Sequence, residues 1–385
     1  MTIEVLYDHQ IFYYQKLGGI SRYFYELINS AQSNYSSHLA MKSHTNLYIK
    51  NAGSELPSLG DKPVFFEPKN DIFSKIKRRL PFDFKTSING NENFVLKQMT
   101  NFKPDIFHPT FYDDYFLNKI GETPFVLTIY DMIHEVFPEC FPGDNNRMTS
   151  FKKKLYSAAS QVIAISEHTK KDIMEIFEVS GEKITVIPLA NSLICTSEKK
   201  NVNEKAKNFV SGKYILFVGG RVTYKNFMFF IASISKLLKK DLGIKVICTG
   251  QPFDKSELAY LDSMGLSSKV SCLSVNDKDL SSLYNNAEMF VFPSLYEGFG
   301  IPVLEAFACG CPALLSNKTS LPEVGGEAAE YFDPKSAVEI RTTVEKVLYN
   351  SAVRKRMVQK GYERLKLFSW DETVRKTGEV YKKCL

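Results

Sequence analysis

The stretch MFVFPSLYEGFGIPVLEAFACGCPALLSN, residues 289–317, decides the fold. It reads as a buried strand (Met289 to Pro293), a glycine-rich loop carrying Glu297, a short helix carrying Glu305 and a second buried strand (Pro312 to Ser316). Pro302 suits the first helical turn, where its missing N–H is not needed, and Gly310 suits the left-handed position that ends a helix. Gly298 and Gly300 remove side chains from the loop, so a ligand can approach the main chain there, and the positive end of the helix favours an anion. Such a loop lies at the carboxyl end of a parallel strand, where open α/β sheets bind ligands.

Glu305 stands among Val303, Leu304, Ala306, Phe307 and Ala308 on a helix that is apolar nearly all round. A carboxylate in that setting needs partners, and sugar or ribose hydroxyls can supply them, because an ionised carboxylate accepts several donors. Taken singly, Glu305 reads equally as a charge complementing the helix dipole, and Glu297 as a solvated loop residue.

Together, the two glutamates in E-G-F-G-I-P-V-L-E (297–305), with the flanking FPSLYEGFGIPVLEAFACGCPALLSN and LPEVGGEAAEYFDP (321–334), give a sequence that resembles glycosyltransferase family 4. The resemblance implies an α/β protein of GT-B fold: two Rossmann-like domains facing each other across a cleft, with a C-terminal helix crossing back to the N-domain. It implies a retaining transfer of a sugar from a nucleoside diphosphate sugar. Glu305 would hold the ribose hydroxyls, Glu297 the hydroxyls of the donated sugar, and the amides of Phe299, Gly300 and Ile301 would face the donor.

A chain of 385 residues exceeds what one core usually organises, so two domains are expected. The net charge of +6 is modest, and neither a nucleic-acid-binding motif nor an apolar run long enough to span a bilayer is present. The start MTIEVLYDHQ lacks the features of a signal peptide, and the seven cysteines are scattered without paired metal-ligand spacing, Cys309 and Cys311 reading as small packing residues. A reducing, cytoplasmic setting is expected, with no metal and no cofactor.

Along the first domain (1–195), Ile3 to Tyr7 reads as a strand followed by Gly18-Gly19 and a helix from about Ser21. This is either a tight turn or a phosphate-binding loop; in the resembled family it closes on the donor, which makes Gly19 a candidate. The segment KNDIFSKIKRRLPFDFK (69–85) puts Ile72, Phe73, Ile76 and Leu80 at helical spacing among four cations. It suits either a helix on an anionic membrane surface, on the cytoplasmic face of an inner membrane, or a solvated helix packed on its own domain. Four further strands, near residues 105–109, 125–130, 161–165 and 184–188, alternate with helices and predict a parallel sheet.

After the third of these five strands come Tyr130-Asp131-Met132-Ile133-His134. Many family members carry a His-Asp pair here, with the histidine beside the donor sugar; Tyr130 replaces that histidine, His134 either folds back to take its place or is structural, and Asp131 either orients the acceptor hydroxyl or is a strand-end turn residue. The polar stretch 191–211 reads as the connection to a second domain (210–367), and residues 368–385 as the returning helix. The second domain opens with Gly219-Gly220-Arg221-Val222-Thr223-Tyr224-Lys225-Asn226 after a strand. Arg221 and Lys225 read alone as solvated loop charges; through the family match they become ligands of the donor diphosphate, stabilising the leaving group without a metal.

The expected partners are a nucleotide-sugar donor, with mannose among the sugars it admits, and a polyprenyl-linked glycan acceptor such as an O-antigen or another lipopolysaccharide or polysaccharide chain, with no nucleic acid. A nucleotide-sugar epimerase, a phosphorylase or a non-catalytic nucleotide-sugar-binding subunit are the alternative readings of the same scaffold.

Overall fold

A computed structural model describes residues 2–30, 35–53, 55–66, 85–195 and 212–385. The basic segment up to residue 84, read as either a membrane-surface helix or a helix packed on its own domain, and most of the predicted interdomain connection lie outside these residues. The chain divides into two compact units, Met1–Leu189 with Trp370–Leu385, and Ala190–Ser369. The first unit thus ends at Leu189, earlier than the expected 195. Within the second unit Cys195 forms a disulfide with Cys309, 5.2 Å away between Cα atoms. This corrects the reading of Cys309 as a separate packing residue; Cys140, Cys248, Cys272, Cys311 and Cys384 are free thiols.

The described strands, in chain order, are β1 (Ile3–Tyr7), β2 (Tyr35–Leu39), β3 (Ser43–His44), β4 (Val64–Phe65), β5 (Ile106–His108), β6 (Val126–Ile129), β7 (Gln161–Ala164), β8 (Ile184–Val186), β9 (Lys213–Phe217), β10 (Ile244–Thr249), β11 (Val270–Leu273), β12 (Met289–Phe292), β13 (Ala313–Ser316) and β14 (Ala329–Phe332). In the second unit they form one six-stranded, all-parallel sheet of order β11-β10-β9-β12-β13-β14. β12 and β13 are buried at every position, as expected of central strands covered on both faces by helices. Numbered from β9, the order is 3-2-1-4-5-6, so the direction of winding reverses between β9 and β12.

In the first unit, β2-β1-β5 and β6-β7-β8 are parallel sheets that meet at a bridge between Phe107 and Phe125. Here the order reverses between β1 and β5. β3 and β4 pair separately. The sequence reading missed β2, β3, β4 and β14: β2 and β14 are edge strands with half-buried interiors (YSSHL and AEYF) and carry no continuous apolar run, and β3 and β4 are two residues long.

The helix Trp370–Lys382 belongs to the first unit, where Tyr381 is fully buried. Its hydroxyl lies 2.8 Å from that of Tyr7 and 2.7 Å from Nδ1 of His108, whose Nε2 is 2.9 Å from Oγ1 of Thr128. Thr373 donates to the Pro188 carbonyl at 2.8 Å. Burial alone pushes the His108 imidazole down to about 3, so this core histidine is neutral.

Two outcomes follow from this network. Tyr381→Phe strips a shared partner from two buried polar groups and should cost about 1–3 kcal/mol in urea unfolding. Because the folded pKa of His108 lies below that of the unfolded chain, the native state binds fewer protons below about pH 6.5, and stability falls as the pH drops from there toward 3. Between about pH 6.5 and 5, before carboxylates dominate, His108→Gln should flatten that decline; an unchanged slope would remove His108 as its source.

Candidate active site

The reversal between β9 and β12 brings together two loops far apart in sequence. The backbone N–H of Leu295, after β12, donates to the carbonyl of Tyr224, after β9, at 2.7 Å. Asn226 fastens the same corner, donating from its carboxamide to Pro293 and Pro334 carbonyls at 3.2 and 2.7 Å. It adopts φ 60°, a left-handed conformation that asparagine tolerates better than most residues, and it starts the helix Phe227–Lys240.

Lys225 and Glu297 therefore face each other. The ammonium donates to both carboxylate oxygens, at 2.6 and 2.8 Å, and the two side chains are 18% and 11% exposed. The loop beneath Glu297 is held from below: its N–H donates to Oγ1 of Thr319 at 3.1 Å, and Oγ of Ser320 donates to the carbonyls of Glu297 and Phe299 at 2.8 and 2.9 Å. Thr319 is itself left-handed (φ 56°), a strained setting for a β-branched residue, and its position under the loop was not visible in the sequence. Gly300 has φ 113°, and a Cβ there would stand 2.9 Å from Leu321, so glycine is required where the loop enters the helix Ile301–Ala308. Phe299 is buried, and Ile301 with Pro302 forms the first turn.

Glu305 is 8% exposed on that helix. The Tyr284 hydroxyl donates to Oε2 of Glu305 at 3.1 Å and also reaches the Pro302 carbonyl at 3.2 Å. Burial, and then the adjacent carboxylate, hold the Tyr284 phenol well above its usual range, so it remains a donor. Part of the hydrogen bonding that Glu305 demands is thus supplied from within, by a tyrosine on the preceding helix that sequence reasoning did not single out.

Arg221 is placed differently from Lys225. Its Nε and Nη2 donate to the two oxygens of Glu257 at 2.7 and 3.0 Å, Nη2 also reaches the carbonyls of Gln251 and Pro252, and Nη1 lies 3.3 Å from Sγ of Cys272. The guanidinium packs over Phe253 and is 6% exposed. Glu257 at the same time completes a capping box with Asp254. Arg221 in this structure ties the β9 loop to the helix Lys255–Ser263.

In the first unit, Gly19 is the first residue of the helix Gly19–Asn29, and the Gln15 side chain accepts from the Ser21 N–H at 3.2 Å. Tyr130 is fully enclosed, its hydroxyl donating to the Thr110 carbonyl at 3.3 Å, so it packs within the core. Asp131 is 32% exposed and accepts from the Ile133 N–H at 3.1 Å.

Behind Asp131 lies a group that the sequence did not announce. Lys152, with no exposed side-chain surface, donates to the Asp131 carbonyl at 2.8 Å and to Oε2 of Glu135 at 3.1 Å, and stands 3.7 Å from Oδ1 of Asp131. Glu135 is 3% exposed and its other oxygen, Oε1, has no hydrogen-bond partner among the described residues. His134 stacks on Phe141 at 3.9 Å, and burial, reinforced by the Lys152 charge, lowers its pKa.

Removing the buried cation should be costly. Lys152→Met strands the Glu135 carboxylate and is expected to lose about 3–5 kcal/mol in urea unfolding, with Glu135→Gln in the same chain restoring part of it. A loss under about 1 kcal/mol for Lys152→Met would show the pair to be immaterial to stability.

Comparison with known proteins gives the family and the fold. Residues 198–364 match the family described as "Glycosyl transferases group 1", and residues 17–190 match "Glycosyltransferase Family 4". The chain is 29% identical over 300 residues to O-antigen chain mannosyltransferase B of Escherichia coli, covering 74% of this chain and 76% of the relative. It is 30% identical over 282 residues to an uncharacterised glycosyltransferase of Methanocaldococcus jannaschii, covering 69% and 71%. Among solved structures, a sucrose-phosphate synthase from Thermosynechococcus elongatus superposes with a TM-score of 0.74 at 15% identity, covering 100% of this chain and 99% of the other. The Anabaena protein HepE in complex with UDP and glucose gives 0.73 at 15% identity, covering 99% and 100%. At this identity the likeness shows the fold, which is GT-B.

Proposed function

Since the chain belongs to the group 1 glycosyltransferases and is an enzyme of that class, we propose that it moves a hexose from a nucleoside diphosphate sugar to a hydroxyl of a growing surface glycan, with retention at the anomeric carbon. The observation that carries this reading is the Lys225–Glu297 pair, a lysine and a glutamate held 2.6 Å apart at the point where strand order reverses, beside a loop stripped of side chains by Gly298 and Gly300.

On this reading the donor replaces each partner of the pair with a better one. Diphosphate oxygens take over the Lys225 ammonium, which offsets the charge that grows on the leaving group, and hydroxyls of the donated sugar take over the Glu297 carboxylate. The N–H groups at the start of Ile301–Ala308 add positive potential on the same side. Glu305, oriented by Tyr284, accepts the ribose hydroxyls. Arg221, held by Glu257 as Lys225 is held by Glu297, is the second candidate ligand of the diphosphate. The charge is met by protein groups, so transfer proceeds without a metal.

Retention follows from attack on the face the diphosphate leaves, with the departing phosphate taking the acceptor proton and Asp131 orienting the acceptor hydroxyl. Glu297 does not serve as a covalent nucleophile on this reading, since its carboxylate is taken up by hydroxyls of the donated sugar. Mannose is the favoured sugar, because the relatives include the O-antigen chain mannosyltransferase B and a serotype-specific mannosyltransferase of Escherichia coli, the latter 30% identical over 272 residues, 33% of its length. A polyprenyl-linked acceptor on the cytoplasmic face of the inner membrane suits the basic segment 69–85 and the lack, among the described residues, of any helix able to cross a bilayer.

Transfer from a panel of nucleoside diphosphate hexoses to glycan acceptors tests this assignment. Lys225→Ala and Glu297→Ala should each lower kcat by about 10²–10³-fold while far-ultraviolet circular dichroism stays unchanged. Wild-type turnover in either variant contradicts the roles given to the pair.

A further inference from the structure

Cys248 and Cys272 are register partners on the neighbouring parallel strands β10 and β11, each next to last in its strand. Register partners project from the same face of a sheet, and neighbouring strands run about 4.8 Å apart, inside the span that a disulfide bridges. Cys248 is fully buried in the apolar core of the second unit, while Cys272 packs on the edge of that core and is partly exposed.

The neighbours of Cys272 separate it from an ordinary packing residue. Nη1 of Arg221 donates to its Sγ at 3.3 Å, and the thiol donates to the Gln251 carbonyl at 3.0 Å, a carbonyl that Nη2 of Arg221 also holds, at 2.8 Å. A hydrogen bond from Cys248, helped by the Arg221 charge, lowers the Cys272 thiol below its usual range against the effect of burial. The same bond, and then burial, raise the Cys248 thiol. The thiolate thus forms on the exposed member and the proton stays on the buried one, the order that a nucleophilic and a resolving cysteine need. By contrast, burial raises the thiols of Cys311 and Cys384.

We propose that Cys272 is a site of oxidation by hydroperoxides, which joins it to Cys248 and, by withdrawing a partner from Arg221, weakens donor binding. The Cys272 thiolate attacks the distal oxygen of the hydroperoxide: the S–O bond forms, the O–O bond breaks, sulfur is oxidised to the sulfenic acid, and the other oxygen takes a proton and leaves as an alcohol, or as water from hydrogen peroxide. The Cys248 thiol then attacks that sulfur, so that the S–S bond forms, the S–O bond breaks and the hydroxyl departs as water with the Cys248 proton. A dithiol reductant reverses the bridge. Once bridged, Sγ of Cys272 is a neutral, weak acceptor with no proton for Gln251, so Arg221 loses part of what orients it beside β9. The effect on the donor rests on the glycosyltransferase reading, with Arg221 as a diphosphate ligand; the thiol chemistry stands apart from it.

The test treats the intact wild type, Cys272→Ser and Cys248→Ala with hydrogen peroxide and maps the thiols by mass spectrometry of tryptic peptides. Affinity for GDP-mannose and UDP-glucose is measured by isothermal titration before oxidation, after it, and after dithiothreitol. The wild type should yield peptides 246–255 and 270–278 joined with the loss of two hydrogens, and its affinity should fall about threefold or more and recover on reduction. Cys248→Ala should stop at a sulfenic acid on Cys272 that dimedone captures. Peroxide should leave the affinity of Cys272→Ser within about twofold, whereas an effect through methionines or through Cys195–Cys309, present in every variant, would persist there. Absence of the joined peptides in the wild type, linkage without loss of affinity, or a loss that survives in Cys272→Ser overturns the proposal and leaves the transferase reading standing. Binding of neither sugar nucleotide by the reduced wild type counts against that reading and takes the effect on affinity with it.

Discussion

The reversal of strand order between β9 and β12 is the constraint on which the donor side depends. Two loops separated by some seventy residues become neighbours because their strands are hydrogen-bonded side by side, and Leu295 and Asn226 lock them at that spacing. Lys225 and Glu297 then have little choice but to meet. A nearly buried ammonium or carboxylate alone would carry a large desolvation cost, and the pairing offsets it. The arrangement also prepares both groups for exchange, since each is already desolvated and oriented when a ligand with the opposite charge or suitable hydroxyls arrives.

The same logic recurs at different strength in the two units. In the second, the carboxyl ends of the strands are cleared by glycines and held from beneath by Ser320 and Thr319, so main-chain donors remain open to a ligand. In the first, aromatic residues fill the corresponding region, and its core is pinned by a polar chain running from Tyr7 through Tyr381 and His108 to Thr128. That chain makes the last helix part of the first unit, although its residues follow the whole of the second in sequence.

Much of this was legible in the residues. The apolar β-branched runs of the central strands, the Pro302 and Gly310 signals around one helix, and the polar Glu305 within it all point to one local structure, and the motif around it resembles a known family. What stayed hidden depends on tertiary proximity. Tyr284, Glu257 and Lys152 look like ordinary helix residues until packing places them against Glu305, Arg221 and Glu135. Lys152 in particular sits in a run of three lysines, where the reasonable expectation is solvent, yet it alone is fully buried. The edge strands β2 and β14 were missed for a related reason: half-exposed strands carry no pattern strong enough to stand out from loops. The Cys195–Cys309 disulfide likewise joins residues whose separation of 114 positions gives no hint of contact.

The central claim is that a nucleoside diphosphate binds at the reversal between β9 and β12, with its ribose on Glu305. Isothermal titration of the wild type and of Glu305→Gln with a nucleoside, its monophosphate and its diphosphate tests it most directly. The account predicts tightest binding of one diphosphate by the wild type, and a loss of about tenfold or more in Glu305→Gln for all three ligands, since the ribose is common to them. Equal affinity of the two proteins for that diphosphate would contradict the account, as would the absence of binding by any diphosphate.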